Sequence, residues 1–424
     1  MPALYVCCLM MQHHDVIVFA LQIGTMLTAA LICGQLMRAL RQPAVLGELL
    51  GGIFLGPTVL GTLAPHVYAW LFPATGPTTV GRDALLKIGM LFFMFVAGLE
   101  VNPTYLHKRG RSVVGTSLLG IVLPCGLGVG TVVLMPEVWG APAQEHLRLF
   151  ALFMGVALSI SALPVIARIL LDLSLIRDEI GVTVLAAATI DDLIGWSLFA
   201  MLLGSFGKYS TTAHLGTMLG LVVGCMTLMV GLGWWRGRAL LQWTRVALAW
   251  PSGFIGLITI IVLIAAALAE AIGIHAIFGA FFVGVALGRA FGEDDQHAHE
   301  ILYQFAISFF APLYFVSIGL KADFAAHFDL LLVLIVFVIA CIGKIVGASL
   351  GAWLGGMPRQ EALAVGFGMN ARGAMEMILA SVALEYQVID QRIFVALITM
   401  ALTTSMLSGP MMQRLLQKTS CRQP

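Results

Sequence analysis

The sequence predicts an all-α polytopic membrane protein of about thirteen transmembrane helices, and composition, run length and charge placement each point there. Of 424 residues, 60% are hydrophobic and 11% charged, whereas a soluble globular chain is roughly half apolar and about a quarter charged. Thirteen spans of about 20 residues absorb roughly 260 residues, which leaves short loops and no soluble regulatory domain. The net charge of +1 gives no excess that would attract nucleic acid. Function is therefore expected inside the bilayer, in a single transmembrane domain covering 1–424.

The apolar runs can be taken in order. The first, 16–38, has no Lys or Arg before Arg38 and is too long for a secretory signal. The second, 43–62, is interrupted by Gly51, Gly52, Gly56 and Pro57. The third, 84–102, starts beside Lys87, which can snorkel to the interface. Spans at 112–135 and 213–235 carry glycine-rich stretches, Gly126–Gly130 and Gly216–Gly224, suited to close helix packing. Runs at 147–171 and 361–384 are broken in the middle, and 179–203 holds two adjacent acids. The run 252–272 is continuous, 275–289 is short for a full span, and 301–320, 328–354 and 391–413 complete the set. Cys7, Cys8, Cys33, Cys125, Cys225, Cys341 and Cys421 form no CxxC pair and read as buried thiols.

Orientation follows from the basic residues. With an odd number of spans and the C-terminus inside, fifteen Lys and Arg fall on cytoplasmic segments and five on outer ones, which gives an N-out, C-in topology. Lys344 and Arg372 fit neither set, since each lies near the middle of its span.

The strongest chemical signal is Asp191-Asp192, about twelve residues into its span. Each buried acid costs about 2.5–3.5 kcal/mol to insert, so an uncompensated pair calls for a function. Neighbouring helical residues point about 100° apart, so one acid can face another helix while the other faces a cavity. Two carboxylates at depth suit a dehydrated monovalent cation or protons, because hard cations prefer oxygen ligands. Lys344, in Cys341-Ile-Gly-Lys-Ile-Val346, is the natural counter-charge. It either titrates in the cycle or forms a permanent salt bridge.

The second signal is a pair of mid-span interruptions: Ser159-Ile-Ser161-Ala-Leu-Pro164 in the fifth run and Gly366-Phe-Gly368-Met-Asn370-Ala-Arg372-Gly373 in the twelfth. Proline removes a helix hydrogen bond and glycines loosen the helix, freeing carbonyls that can coordinate ions. Corresponding breaks in two halves mark a transporter binding site, here if 1–6 and 8–13 are inverted repeats. The acids lie 27–28 residues after Pro164, while the same offset from Gly373 reaches Met400-Ala401, so one site per chain is expected. Arg372 and Glu376, four residues apart, share a helix face and can pair. Glu48, Glu100 and Glu270 lie near span ends, where interfacial solvation is expected, and His275 is either packed or a proton carrier.

With these residues in place, the chain resembles the bacterial monovalent cation:proton antiporter family of the Na⁺/H⁺ exchanger type. Four further stretches carry the resemblance: Gln42-Pro-Ala-Val-Leu-Gly-Glu48 through Gly51-Gly-Ile-Phe-Leu-Gly-Pro57, Phe93-Met-Phe-Val-Ala-Gly-Leu-Glu100, Ile274-His-Ala-Ile-Phe-Gly-Ala-Phe-Phe-Val-Gly284, and Pro312-Leu-Tyr-Phe-Val-Ser-Ile-Gly319. The resemblance implies a homodimer in the cytoplasmic membrane, with a dimerisation part at about 16–102 and 213–289 and a core part at about 112–203 and 301–413. It implies two crossed, broken helices and elevator-like alternation. On this chain, Asp192 resembles the family's cation and proton carboxylate, and Asp191 the acid that pairs with Lys344. Ser161 matches a position that can add an oxygen ligand, and Asn370, Arg372 and Glu376 fall on the second crossing helix. The adjacent acids resemble electrogenic members that exchange two protons for one Na⁺. No cofactor is implied. A K⁺ efflux system of the same fold, by K⁺/H⁺ antiport or channel-like, is the alternative; without a carbonyl-filter motif the channel-like form has less support. An intramembrane aspartyl protease would need two acids converging on one water, and adjacent residues of one helix diverge.

Overall fold

The computed structural model describes residues 12–40, 42–99, 110–173, 175, 178–206, 251–272, 276–288 and 296–420, with scattered positions between 220 and 248. The expected span at 213–235 therefore lies largely outside the described residues, as do Glu100 and His275. Every regular element described is helical, because backbone in hydrocarbon must satisfy its own hydrogen bonds.

In chain order the longer described helices are α1 (His13–Ala39), α2 (Ala44–Leu55), α3 (Pro77–Leu99), α4 (Gly110–Leu134), α5 (Leu147–Ser159), α6 (Leu163–Asp172) and α7 (Glu179–Phe206). They continue with α8 (Ser252–Ala271), α9 (Ala276–Gly288), α10 (Gln296–Phe305), α11 (Ala311–Lys321), α12 (Leu330–Leu354), α13 (Arg359–Met369), α14 (Ala374–Glu385) and α15 (Gln391–Ser420). Among the described residues, eight helical segments are long and apolar enough to cross a membrane, and two shorter apolar ones are Leu147–Ser159 and Ala276–Gly288. The chain is thus a multi-pass membrane protein.

The helices gather into two compact units, 1–40 with 44–101 and 221–326, and 41–43 with 102–220 and 327–424. The division drawn from sequence puts 301–326 in the core part and 41–43 in the dimerisation part, whereas by packing 301–326 groups with the first unit and 41–43 with the second.

In the first unit, α2 packs on α1 and α11, and α3 on α9. The four glycine-bearing stretches explain these contacts. A Cβ on Gly52 would stand on the Val316 carbonyl and 2.8 Å from the Cα of Gly319, and one on Gly98 would stand on the Phe281 carbonyl and 3.0 Å from the Cα of Gly284. Each stretch supplies one half of a glycine-to-glycine crossing. Lipid tails provide no hydrophobic drive between helices, so such close approach supplies the packing energy.

In the second unit one order occurs twice: a long helix, a broken helix, another long helix. The first set is α4, α5 with α6, and α7; the second is α12, α13 with α14, and α15. The long helices α4 and α12 lie along each other, with Gly343, Gly347, Gly351 and Gly355 spaced by four on the contact face. A Cβ on Gly351 would stand on the Gly115 carbonyl, and one on Gly343 would come within 2.7 Å of the Cα of Pro124. The Gly126–Gly130 stretch contributes less than its composition suggests, because Gly126 and Gly130 face open space and only Gly128 packs, against Gly155.

Candidate functional site

The two broken helices meet at their breaks. Residues 160–162 separate α5 from α6, and 370–373 separate α13 from α14. The Ala162 N–H donates to the Ala371 carbonyl at 3.0 Å, and the Ser161 hydroxyl lies 2.9 Å from the Met369 carbonyl. Helix α5 touches α14 and α6 touches α13, the pattern of two discontinuous helices crossing. Pro164 is not the mid-helix interruption expected from sequence. It is the second residue of α6, where its missing N–H would be unpaired in any case, so it starts the second half-helix.

Asp191 is fully buried and fully served. Its Oδ1 accepts from the Ser117 hydroxyl at 2.7 Å, and its Oδ2 lies 2.6 Å from Lys344 Nζ and 3.1 Å from Ser161 Oγ. Ser161 has one hydroxyl hydrogen for two acceptors, Asp191 and Met369, so it can serve only one at a time. Lys344 is equally saturated: besides Asp191 it donates to the Ser159 carbonyl at 2.6 Å and the Gly120 carbonyl at 3.0 Å. Three acceptors match the three N–H groups of an ammonium, whereas a neutral amine has two.

Asp192 differs. It is 7% exposed against 0% for Asp191, and among the described residues its buried Oδ1 has no hydrogen-bond partner. One helix thus presents one acid to a lysine and the other to a poorly served environment, as the 100° offset requires.

Arg372 occupies the second break. Its Nη2 donates to the Leu158 carbonyl at 2.6 Å, its Nη1 to the Ala157 carbonyl at 3.1 Å, and Nη1 stands 3.4 Å from Glu376 Oε1. Its own peptide is clasped by Ser405, whose Oγ accepts from the Arg372 N–H and whose hydroxyl donates back to the Arg372 carbonyl. Glu376 is 1% exposed and its Oε2 has no partner among the described residues. Asn370, also buried, donates through Nδ2 to Cys341 Sγ at 3.5 Å, and its Oδ1 has no partner among the described residues.

The carbonyls freed where α5 ends are already engaged by donors. Those of Ala157, Leu158 and Ser159 are taken by Arg372 and Lys344, cations where a helix C-terminus favours them. The sequence reading brought together Asp191, Lys344, Ser161, Arg372 and Glu376, and missed Ser117 on α4 and Ser405 on α15. The signal for both was a hydroxyl within an apolar span. Glu270 is exposed, as expected near a span end, and its carboxylate also accepts the Ala276 N–H at 2.7 Å, which caps α9.

A multi-pass helical bundle in which two discontinuous helices cross beside buried acids and bases has the architecture of a secondary transporter. The chain belongs to the sodium/hydrogen exchanger transmembrane family, which it matches over residues 26–418. It is 34% identical to cation/H⁺ antiporter 18 of Arabidopsis thaliana over 402 residues, 92% of this chain and 48% of that protein. The chain thus spans about half the length of that plant relative. It is 32% identical to the Na⁺/H⁺ antiporter NhaS4 of Synechocystis sp. over 96% of this chain and 98% of that one. The sodium proton antiporter MjNhaP1 of Methanocaldococcus jannaschii shares the fold, with a TM-score of 0.64 and 17% identity over 95% of this chain and 99% of that one.

Proposed function

We propose that the protein is a secondary active antiporter that exchanges Na⁺, or Li⁺ or K⁺, for H⁺, with Asp192 as the alternating cation and proton site. The observation that carries this is the contrast within the acid pair: Asp191 is held by Ser117 and Lys344 with Ser161 in reach, while Asp192 is buried beside it with an oxygen that has no partner among the described residues. Leaving a buried carboxylate oxygen unserved costs free energy. A proton or a dehydrated cation on Asp192 relieves that cost, and only one can be there at a time. Competition for the site, with access alternating between the two sides, is the minimal exchange mechanism. Asp191, the neighbour of Asp192 in the chain, and Ser161, 3.1 Å from Asp191, are the residues that would complete an oxygen ligand set.

The exchange is electrogenic in this reading, with two protons per cation. The protein works as a homodimer in the cytoplasmic membrane, N-terminus outside and C-terminus inside. K⁺ efflux by the same site is the alternative, and flux that ignores an imposed pH gradient would favour its channel-like form. In proteoliposomes loaded with a pH-sensitive dye, Na⁺, Li⁺ and K⁺ added in turn should move protons, and Asp192→Asn should abolish the response to all three. Unchanged exchange in that variant would sink the assignment.

A further inference from the structure

We propose that Glu376 is a second proton-carrying residue of the exchange cycle, linked to the Asp191–Lys344 pair through Arg372 and the carbonyls that end α5. This rests on the antiport reading above and adds the identity of the second proton's carrier.

Charge arithmetic limits the candidates. Asp191, Asp192 and Glu376 against Lys344 and Arg372 give three negative and two positive groups, all buried, for a net charge of −1. If only Asp192 changed state, the cluster would be neutral with either a proton or a monovalent cation bound, and exchange would be one for one. Electrogenic exchange needs another group that gains and loses a proton. Lys344 is poorly suited, because its three N–H groups are all accepted, two by main-chain carbonyls that would lose a donor if it became neutral.

Glu376 has the opposite surroundings. Among the described residues its one donor, Arg372 Nη1, is 3.4 Å away, well beyond the 2.7–2.9 Å of a charge-assisted hydrogen bond. Its other oxygen has no partner among the described residues. Arg372 does not depend on it, since that guanidinium makes its closer contacts, 2.6 and 3.1 Å, to the Leu158 and Ala157 carbonyls. The acid can therefore be neutralised without freeing the arginine. The charged groups that face Glu376 are Arg372 and, from α12, Lys344.

The link to the cation site runs through consecutive carbonyls. Arg372 holds those of Ala157 and Leu158, and Lys344 holds that of Ser159 together with Asp191. Arg372 and Lys344 thus hold the same helix end, and a change of charge on Glu376 is felt at Asp191 through that one turn of backbone. With both Asp192 and Glu376 protonated the cluster carries +1, and with a cation bound and both ionised it carries 0. The proton-loaded form then moves one more charge than the cation-loaded form.

The test is the number of protons released when a cation binds. Solubilised protein is titrated calorimetrically with NaCl in two buffers of different ionisation enthalpy, which yields protons per bound ion. We expect about two for the wild type, about one for Glu376→Gln and about two again for Glu376→Asp. One proton in the wild type, or two in folded Glu376→Gln, overturns the proposal while leaving antiport intact. If Glu376→Gln does not fold, infrared difference spectra of wild-type protein labelled with ¹³C-glutamate decide. A protonated glutamate band that disappears on adding NaCl supports the proposal, and no such band overturns it. No ion binding together with no dye response in the wild type is a different failure, and it removes the antiport reading itself.

Discussion

Lys344 Nζ lies 2.6 Å from Asp191 Oδ2, with both side chains entirely buried and every donor of the lysine accepted. Such a pair is costly to break from one side, because the surviving charge stays in low dielectric. Lys344→Ala should lower stability by about 3–5 kcal/mol, read as a fall in the melting temperature of the solubilised protein. The double variant Asp191→Asn with Lys344→Met should recover much of that loss, since no unpaired charge remains. If the single and double variants melt alike, the pair is not what holds this part of the unit together.

Ser117 supplies the donor to Asp191 Oδ1 at 2.7 Å from a different helix, α4. Removing it leaves one oxygen of a buried carboxylate unserved, at a cost of about 1–3 kcal/mol. Ser117→Ala should therefore destabilise measurably and alter cation affinity, whereas Ser117→Thr should keep both. A fluorescence melting series with and without NaCl separates the two effects.

The helical class and the acid pair were legible because each is a local property of the chain: an apolar run needs no partner to be recognised, and a charge in mid-span stands out by its cost. Pro164 was misplaced because a proline signals a helix end without saying on which side the residue sits. That cations cap the carbonyls of Ala157, Leu158 and Ser159 is not legible, because sequence shows which helix breaks but not which distant cation arrives there; Lys344 and Arg372 come from α12 and the second break. Likewise Gly52 and Gly319, or Gly98 and Gly284, are far apart in sequence, and only the fold pairs them.

The α4–α12 contact should tolerate no added side chain at its closest points. A Cβ on Gly351 would stand on the Gly115 carbonyl, which is main chain and cannot rotate aside. Gly351→Val should cost at least about 1–3 kcal/mol from overpacking and sharply reduce the yield of folded protein. Gly126→Ala is the control on α4, with nothing within 4 Å, and should leave yield unchanged or slightly raised by the better helix propensity. Equal yields from both variants would contradict the close packing.

At the start of α12, Asp329 accepts from the N–H groups of Leu331 and Leu332 at 3.1 and 3.2 Å and pairs with Arg392 Nη2 at 2.7 Å. The Leu332 N–H, against a smaller opposing effect of burial and with help from Arg392, holds this carboxyl below its ordinary value. The sign follows from linkage: a carboxylate depressed in the folded state contributes stability above its unfolded pKa of about 4, and that contribution is lost as pH falls through the folded value. Asp329→Asn keeps a capping side chain but has no charge to lose. Melting temperatures followed from about pH 7 down to about pH 3 should therefore fall more steeply in the wild type than in Asp329→Asn, with the difference confined to the region below about pH 4. Arg392→Ala should narrow that difference without abolishing it, because the backbone donors of α12 remain.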